Sequence, residues 1–336
     1  MTERRWDPAT GEWRTFATHR QTRTFLPSAR ECPLCPTTDI GRPTEIPRGD
    51  YQIAVFDNRF PSLLADPPIP SVTATRLNPV ETARGATEVV LYSDRHDVTL
   101  ADLTVEHIAR LVDVWADRYT ALGSRDNVSY VFVFENKGEV VGVTLDHPHG
   151  QIYGYPDVPP RPRQELAAAT AYLAEHGSCL WCDQVAQEHK DGARVLAATT
   201  SFLAFVPFAA RFPYEVHVVP TRHATSLPEL TDPERADLAE VIKSVVTGYD
   251  ALFGFSLPYV MSMHQAPTDD GPWCPVSHLH LEFTPLHRTA ERLKYIAGSE
   301  LGAGAFVNDT LPEQTAAELR AALARASTEA RGRPGG

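Results

Sequence analysis

The sequence predicts an α+β protein built from two tandem units, each an antiparallel sheet with flanking helices. The 336-residue chain carries one series of signals twice: a Cys-x-x-Cys pair, a strand-like run, a spaced histidine, a helical pattern, another strand and a His-x-His. Such repetition is typical of a duplicated structural unit. We expect the units to cover residues 1–158 and 164–325, with a proline-rich connection at 156–163 and a flexible tail at 326–336.

The elements within each unit follow from the spacing of apolar residues. Apolar side chains recur at helical spacing from 108 to 119 and again from 238 to 252, which predicts two amphipathic helices. Thr104 and Thr231 stand just before these patterns and belong to the residue types that cap helix N-termini. A strand-like run lies on each side of either helix. These runs are residues 88–92, 128–134, 215–219 and 259–263.

The composition argues against two classes of function. The formal net charge is −12, whereas a general nucleic-acid binder draws its affinity from clustered lysine and arginine. No apolar run approaches the roughly 20 residues that cross a bilayer, and the charged N-terminal residues do not form a signal peptide. We therefore expect a cytoplasmic protein that binds neither nucleic acid nor membrane.

Cysteine and histidine recur in the same order in both units. Zinc prefers four tetrahedral ligands from these residue types, and four protein ligands make a closed structural site. Each unit supplies two cysteines, the spaced histidine and the first histidine of its His-x-His. The sequence therefore predicts two zinc sites. Their ligands are Cys32, Cys35, His96 and His147 in the first unit, and Cys179, Cys182, His223 and His278 in the second.

The segment His147-Pro-His149-Gly-Gln151 indicates phosphoryl chemistry. If His147 is tied to zinc, His149 is held rigidly beside it. A neutral imidazole can attack phosphorus and leave again, so His149 is a candidate nucleophile for covalent transfer. A hydrogen bond from its other ring nitrogen, to a nearby backbone carbonyl for example, would fix its tautomer. Gln151 offers an amide donor for charge on a phosphoryl oxygen. The alternative is that His149 is a further structural ligand.

Two polar segments are candidate nucleotide ligands. In the run 134–142 a strand, a turn and a return strand would present Asn136, Lys137 and the backbone of Gly142 to a phosphate. On the residues alone, a solvated hairpin is the better explanation of that pattern. Asn58 lies between aromatic residues, in an order that suits a nucleoside pocket but also an ordinary loop.

These residues together resemble the galactose-1-phosphate uridylyltransferase family of the histidine-triad superfamily. The likeness rests on Cys32-Pro-Leu-Cys35, Asp57-Asn-Arg-Phe60, Glu135-Asn-Lys-Gly138 and especially His147-Pro-His-Gly-Gln151, and it extends over roughly residues 6–310. The resemblance implies two histidine-triad-like units. It also implies a ping-pong reaction of galactose metabolism, in which His149 takes UMP from UDP-glucose, releases glucose 1-phosphate, and passes UMP to galactose 1-phosphate to form UDP-galactose.

The resemblance also implies roles for further residues. Contacts to the nucleotide and its phosphates would come from Arg20, Arg23, Asn58, Asn136, Gly142, Thr144 and Gln151. A C-terminal segment of the family touches the sugar, and here Lys294 and Glu300 keep its charged residues while Ser299 replaces its tyrosine. Family members are usually homodimers in which the partner chain completes the sugar pocket, so we expect a homodimer here.

The resemblance leaves the second metal site and the activity open to alternatives. Some members bind iron or zinc with a glutamate and three histidines, which fall on Glu165, His264, His278 and His280; His278 then belongs to both sets. We favour zinc bound by the Cys/His set, with iron as the alternative metal. The alternative functions are a nucleotidyltransferase resembling ADP-glucose phosphorylase and a non-catalytic nucleotide-binding zinc protein.

Overall fold

The computed structural model describes residues 2–22 and 25–332. Within these ranges the helices are α1 (Val105–Gly123), α2 (Pro160–His176), α3 (Leu180–Asp191), α4 (Asp232–Phe253), α5 (Gly298–Ala303) and α6 (Pro312–Gly332). The strands are β1 (Thr2–Asp7), β2 (Glu12–Ala17), β3 (Ala54–Asp57), β4 (Val80–Thr82), β5 (Ala86–Leu91), β6 (Tyr130–Lys137), β7 (His149–Tyr155), β8 (Val195–Ala198), β9 (Phe202–Phe205), β10 (Val216–Pro220), β11 (Tyr259–His264), β12 (His280–Pro285), β13 (His287–Thr289) and β14 (Arg292–Leu293).

Nine strands form one antiparallel sheet in the order β3-β5-β7-β6-β11-β12-β10-β9-β8. The strand order is symmetric about the β6–β11 pair. Going outward from this pair, β6, β7 and β5 of the first repeat correspond to β11, β12 and β10 of the second. The predicted α+β class is confirmed. The sheets of the two repeats are, however, joined edge to edge, with Ser262 opposite Phe134 and Met261 opposite Glu135. This pairing removes two exposed sheet edges.

Helices α1 and α4 pack against each other and cover one face of the large sheet. Their buried faces share a continuous hydrophobic core with the sheet, in which Trp115 and Tyr249 are fully buried. The predicted caps are present. The Thr104 hydroxyl accepts a hydrogen bond from the His107 N–H at 3.2 Å, and Thr231 forms a capping box with Glu234. The candidate functional site lies on the opposite face of the sheet.

The C-terminal helix α6 packs against α4 and buries Ala316 and Leu319. It continues to Gly332, so residues 326–332, which we predicted to begin a flexible tail, are helical. The reason is composition, because alanine, glutamate and arginine are strong helix formers. Helix α2 likewise begins at Pro160, inside the predicted connection, because proline is well tolerated in the first helical turn. Among the helices of the described residues, none is long and apolar enough to cross a membrane.

We predict that Thr104→Ala lowers the stability of the protein by about 1 kcal/mol, because the first turn of α1 loses its side-chain acceptor. In a chain of this size the midpoint of thermal unfolding should fall by roughly 1–2 °C. Thr328→Ala is the matched control, since this exposed threonine only bonds back to Ala324 O within α6. An equal fall in both variants would contradict the capping role.

Candidate functional site

The structure brings the four predicted ligands of the first unit together. The ligand atoms of Cys32, Cys35, His96 and His147 lie within 4.8 Å of one another. The Cys35 Sγ is 3.3 Å from His96 Nδ1 and 3.5 Å from His147 Nδ1. Cys32 and His147 are buried, so the cluster ties an irregular N-terminal segment to the residues just before β7.

The chemistry of this cluster fits a metal ion. The His147 Nε2 lies 2.8 Å from the backbone oxygen of Ser93, which makes Nε2 the protonated nitrogen and leaves the Nδ1 lone pair facing the thiols. Burial lowers the pKa of His147 to about 4, so the imidazole is neutral. Burial and the neighbouring Cys32 raise the pKa of Cys35 to about 12, a cost that a bound cation would offset.

The predicted ligands of the second unit form an equivalent cluster. The ligand atoms of Cys179, Cys182, His223 and His278 again lie within 4.8 Å of one another. The His278 Nδ1 is 3.5 Å from Cys179 Sγ and 3.7 Å from Cys182 Sγ. Its Nε2 lies 3.2 Å from the backbone oxygen of Pro220, so the same tautomer is fixed by the same kind of bond. Both predicted Cys/His sets are therefore assembled by the fold.

The alternative set of the second unit is assembled differently. Glu165, His264 and His280 cluster with Glu282, and not with His278, whose Nδ1 faces the thiols. The His264 Nδ1 is 2.8 Å from Glu165 Oε2. Glu282 lies two residues after His280 on the same face of β12, which explains why it joins this group. Because Glu165, His264, His278 and His280 also line one cavity, the competition of the two sets for His278 stays a prediction.

His149 is the first residue of β7, and it lies opposite Leu91 of β5. Its Nδ1 lies 2.7 Å from the backbone oxygen of His147, so the ring donates through Nδ1 and keeps an unprotonated Nε2. Burial lowers the pKa of His149, which favours the neutral ring. The expected backbone acceptor is thus supplied by the first histidine of the same motif.

A cleft opens in front of His149, with about 650 Å³ of free space when the open solvent at its mouth is included. Apolar side chains form much of its wall, from Leu34, Phe56, Val89 and Leu145 among others. The predicted residues Asn58, Thr144 and Gln151 also line it. The Asn58 Nδ2 donates to Gln151 Oε1 at 3.2 Å, and this leaves the amide N–H groups of Gln151 as donors for a ligand.

A second cavity, open to solvent, reaches His149 from the side of β6, and Asn136 and Lys137 line it. Lys137 is paired with Asp250 at 2.8 Å. Gly142 has a left-handed backbone with φ of 83°, and its N–H donates to Glu139 O at 2.8 Å. The turn therefore uses the backbone group that we had expected to bind phosphate.

Of the two predicted arginines, Arg20 lies beside Tyr153 of β7. Arg20 donates to the Tyr153 hydroxyl at 3.1 Å, and that hydroxyl lies 3.5 Å from Gln151 Oε1. Arg23 lies outside the described residues. Sequence reasoning missed Tyr153, although residues 149, 151 and 153 share one face of a strand by the two-residue period, and that signal could have found it.

Lys294 and Glu300 are not brought to His149 within the chain. They form a buried ion pair with each other at 2.8 Å. Neither belongs to the lining of the two cavities that meet His149.

We predict that Cys35→Ser lowers the metal content of the purified protein by one ion per chain and also lowers its melting temperature, because a structural metal contributes to folding. Elemental analysis and thermal unfolding measure the two effects. Cys274→Ser is the matched control, since the exposed Cys274 thiol belongs to neither ligand cluster. Only its backbone oxygen, which the variant keeps, lies 2.8 Å from His223 Nε2. Full metal content in Cys35→Ser would show that the first cluster is not a metal site.

Comparison with known proteins identifies the family. Family models for the N-terminal and C-terminal domains of galactose-1-phosphate uridyl transferase match residues 1–159 and 165–331. A galactose-1-phosphate uridylyltransferase of Thermotoga maritima is 39% identical over 322 residues, which cover 95% of this chain and 98% of that protein. The enzyme of Rattus norvegicus is 34% identical, over 94% of this chain and 86% of that protein.

Solved structures agree with this result. One described as a uridylyltransferase has 39% identity and a TM-score of 0.85, covering 96% of this chain and 99% of the other. An ADP-glucose phosphorylase from Arabidopsis thaliana, solved with ADP-glucose bound, has 26% identity and a TM-score of 0.72, covering 95% and 98%. The chain therefore belongs to the galactose-1-phosphate uridylyltransferase family, whose members are nucleotidyltransferases.

Proposed function

We propose that this protein is a UDP-glucose–hexose-1-phosphate uridylyltransferase that passes UMP from UDP-glucose to galactose 1-phosphate through His149. The observation that carries the proposal is the state of the His149 ring. Its Nδ1–H is bonded to His147 O at 2.7 Å, and its Nε2 carries a lone pair beside the cavity. A fixed neutral imidazole of this kind suits attack on phosphorus.

The reaction follows from this geometry in two displacements. The Nε2 lone pair forms a bond to the α-phosphorus of UDP-glucose, and the bond from that phosphorus to the bridging oxygen breaks, with its electron pair leaving on glucose 1-phosphate. The uridylylated ring is cationic, and His147 O accepts its Nδ1–H. A phosphate oxygen of galactose 1-phosphate then attacks the phosphorus, and UDP-galactose leaves as the electrons of the P–N bond return to the ring.

The cavity residues provide binding and charge stabilisation. The apolar wall of Leu34, Phe56 and Val89 suits a flat base. Gln151 directs amide N–H groups towards the phosphate, because its oxygen already accepts from Asn58. The hydroxyl of Thr144 lies in the same cavity, and Asn136 approaches His149 from the other side. We assign phosphate binding to these polar groups, and to Arg20 through Tyr153.

We assign zinc to the two Cys/His clusters, because thiolate and imidazole are the donors that zinc prefers in closed tetrahedral sites. Zinc supplies structure here and no chemistry of transfer. In the first cluster His147 bonds to Ser93 O through one nitrogen and faces the thiols with the other, so the backbone next to His149 is held from both sides. Iron at the second cluster is the alternative, and metal analysis decides between them.

We also propose a homodimer and a cytoplasmic location. Lys294 and Glu300 lie away from His149, in a segment that exposes the large apolar side chains of Tyr295, Ile296 and Leu301. Such exposure is typical of an interface, and a partner chain could bring this segment to the sugar. Thiol clusters are kept reduced in the cytoplasm. The division into units at 1–158 and 164–325 is likewise a proposal, which the repeated strand order supports.

The decisive experiment supplies UDP-glucose and galactose 1-phosphate to the wild type and to His149→Ala. We expect UDP-galactose from the wild type and a loss of several orders of magnitude in the variant, because the nucleophile is gone. The variant should keep its metal and its melting temperature. His176→Ala, at an exposed histidine at the end of α2, is the control and should keep full activity.

Other outcomes of that experiment identify the alternatives. A folded, metal-loaded wild type that ignores these substrates but phosphorolyses ADP-glucose would be an ADP-glucose phosphorylase-like enzyme. A protein that binds nucleotide and transfers none would be a non-catalytic module.

We predict that Gln151→Ala slows formation of the uridylyl-enzyme by roughly 100-fold, since the loss of one preorganised donor to a developing oxyanion costs this much in other enzymes. Single-turnover measurement with UDP-glucose gives the rate, and KM should change little. Gln187→Ala, in an exposed stretch of α3, is the matched control. An unchanged rate in Gln151→Ala would remove Gln151 from the phosphate site.

A further inference from the structure

Tyr92 contacts both neighbours of His149 in the chain. Its N–H donates to the backbone oxygen of Pro148 at 3.0 Å. Its ring runs beneath β7 to Gly150, where an added Cβ would lie only 2.2 Å from the tyrosine hydroxyl. Tyr92 therefore contacts the residues on both sides of His149, Pro148 through a backbone hydrogen bond and Gly150 through its side chain. The side-chain contact lies on the face of the strand that points away from the cavity.

Tyr92 is itself held firmly by α1. His107 Nε2 lies 2.6 Å from the Tyr92 backbone oxygen, and the Trp115 ring packs edge-on with the ring centroids 6.2 Å apart. The side chain is fully buried. Tyr92 thus contacts α1 on one side and the segment 148–150 on the other.

The hydroxyl of Tyr92 is not explained by stability. It is buried and has no hydrogen-bond partner among the residues that the structure describes. Burial and the nearby Glu135 raise its pKa well above the usual value, so the hydroxyl stays neutral. A buried polar group without a partner costs folding free energy, and phenylalanine would fill the same core without that cost. We therefore attribute the role of the Tyr92 hydroxyl to its contact with the backbone at Gly150.

The second unit provides an internal control. Val90 lies opposite Gly150 in the β5–β7 pair, and Val218 lies opposite Leu281 in the β10–β12 pair. Leu281 is thus the equivalent of Gly150, and it is fully buried. The fold accepts a leucine side chain at this position, so the strand pairing does not require the contact between glycine and tyrosine. The contact occurs in the unit that carries His149.

We propose that Tyr92 is a positioning residue for His149. Its hydroxyl packs against Gly150 and fixes the position of the β7 backbone relative to the cavity. This position in turn determines the distance from His149 Nε2 to the phosphorus of the substrate. This inference rests on the proposed role of His149 as nucleophile. The cluster around His147 fixes the N-terminal end of this segment, and Tyr92 packs against the segment on the face of β7 that points away from the cavity. A misplacement of about 1 Å can slow a transfer reaction roughly 100-fold, which gives the expected scale.

The first test is Tyr92→Phe, with Tyr249→Phe as the matched control. We expect Tyr92→Phe to slow single-turnover uridylylation by roughly 10- to 100-fold. KM for UDP-glucose, metal content and melting temperature should be unchanged or, for melting, raised. Tyr249 is an equally buried tyrosine whose hydroxyl donates to Tyr214 O at 2.8 Å. Its variant should show the opposite pattern, a lower melting temperature with a normal rate.

The second test places a methyl group in the same space. Gly150→Ala should also slow uridylylation, because the new Cβ meets the hydroxyl. The double variant Gly150→Ala with Tyr92→Phe should be faster than Gly150→Ala alone, since the methyl group occupies the volume that the hydroxyl leaves. Recovery should be partial, because Phe134 O at 3.0 Å and Tyr92 Cζ at 3.1 Å still crowd the Cβ.

Several results would overturn the inference. They are a wild-type rate in Tyr92→Phe, a slow rate that merely follows loss of metal or of folded protein, and a double variant no faster than Gly150→Ala. If Gly150→Ala does not fold, the contrast between Tyr92→Phe and Tyr249→Phe decides alone. Activity in His149→Ala would instead refute the proposed nucleophile, so the two failures are distinguishable.

Discussion

The arrangement of the site depends on the two bonds made by the His147 imidazole. One ring nitrogen lies 2.8 Å from Ser93 O, and the other faces the sulfur of Cys35 at 3.5 Å. The backbone oxygen of the same residue then accepts from His149 Nδ1. One residue therefore links the metal-ligand cluster, Ser93 just after β5, and the hydrogen bond that sets the tautomer of the proposed nucleophile.

The duplicated unit shows how one backbone supports two environments. Gln151 lies opposite Val89 in the first unit, and Glu282 lies opposite His217 in the second. The amide of the first unit suits a phosphate, whereas the carboxylate of the second lies among histidines. Trp181 stacks on His280 with the ring centroids 4.0 Å apart, and this covers the ring that corresponds to His149. The fold is shared, and the side chains decide the chemistry of each half.

The fused sheet explains why the two halves are not independent. The pairing of β6 with β11 places Phe134 and Ser262 side by side, and α1 packs on α4 across the same junction. The core is continuous through both repeats. Residues of the first unit are thus supported by the second, which is a reason to expect that neither half holds its site alone.

The features that depend on the spacing and chemistry of residues along the chain could be predicted before the fold was known. Both Cys/His sets follow from an order of residue types that recurs along the chain. The backbone acceptor for His149, the amphipathic helices and their caps follow from patterns within short stretches. Tertiary structure decided what depends on strand register and on contacts between distant residues. These are the union of the two sheets, the grouping of Glu282 with Glu165, the pairing of Lys294 with Glu300 away from His149, and the Tyr92 hydroxyl next to Gly150. No local pattern encodes such contacts, because they arise only when the whole chain is packed and each side chain meets neighbours far away in sequence.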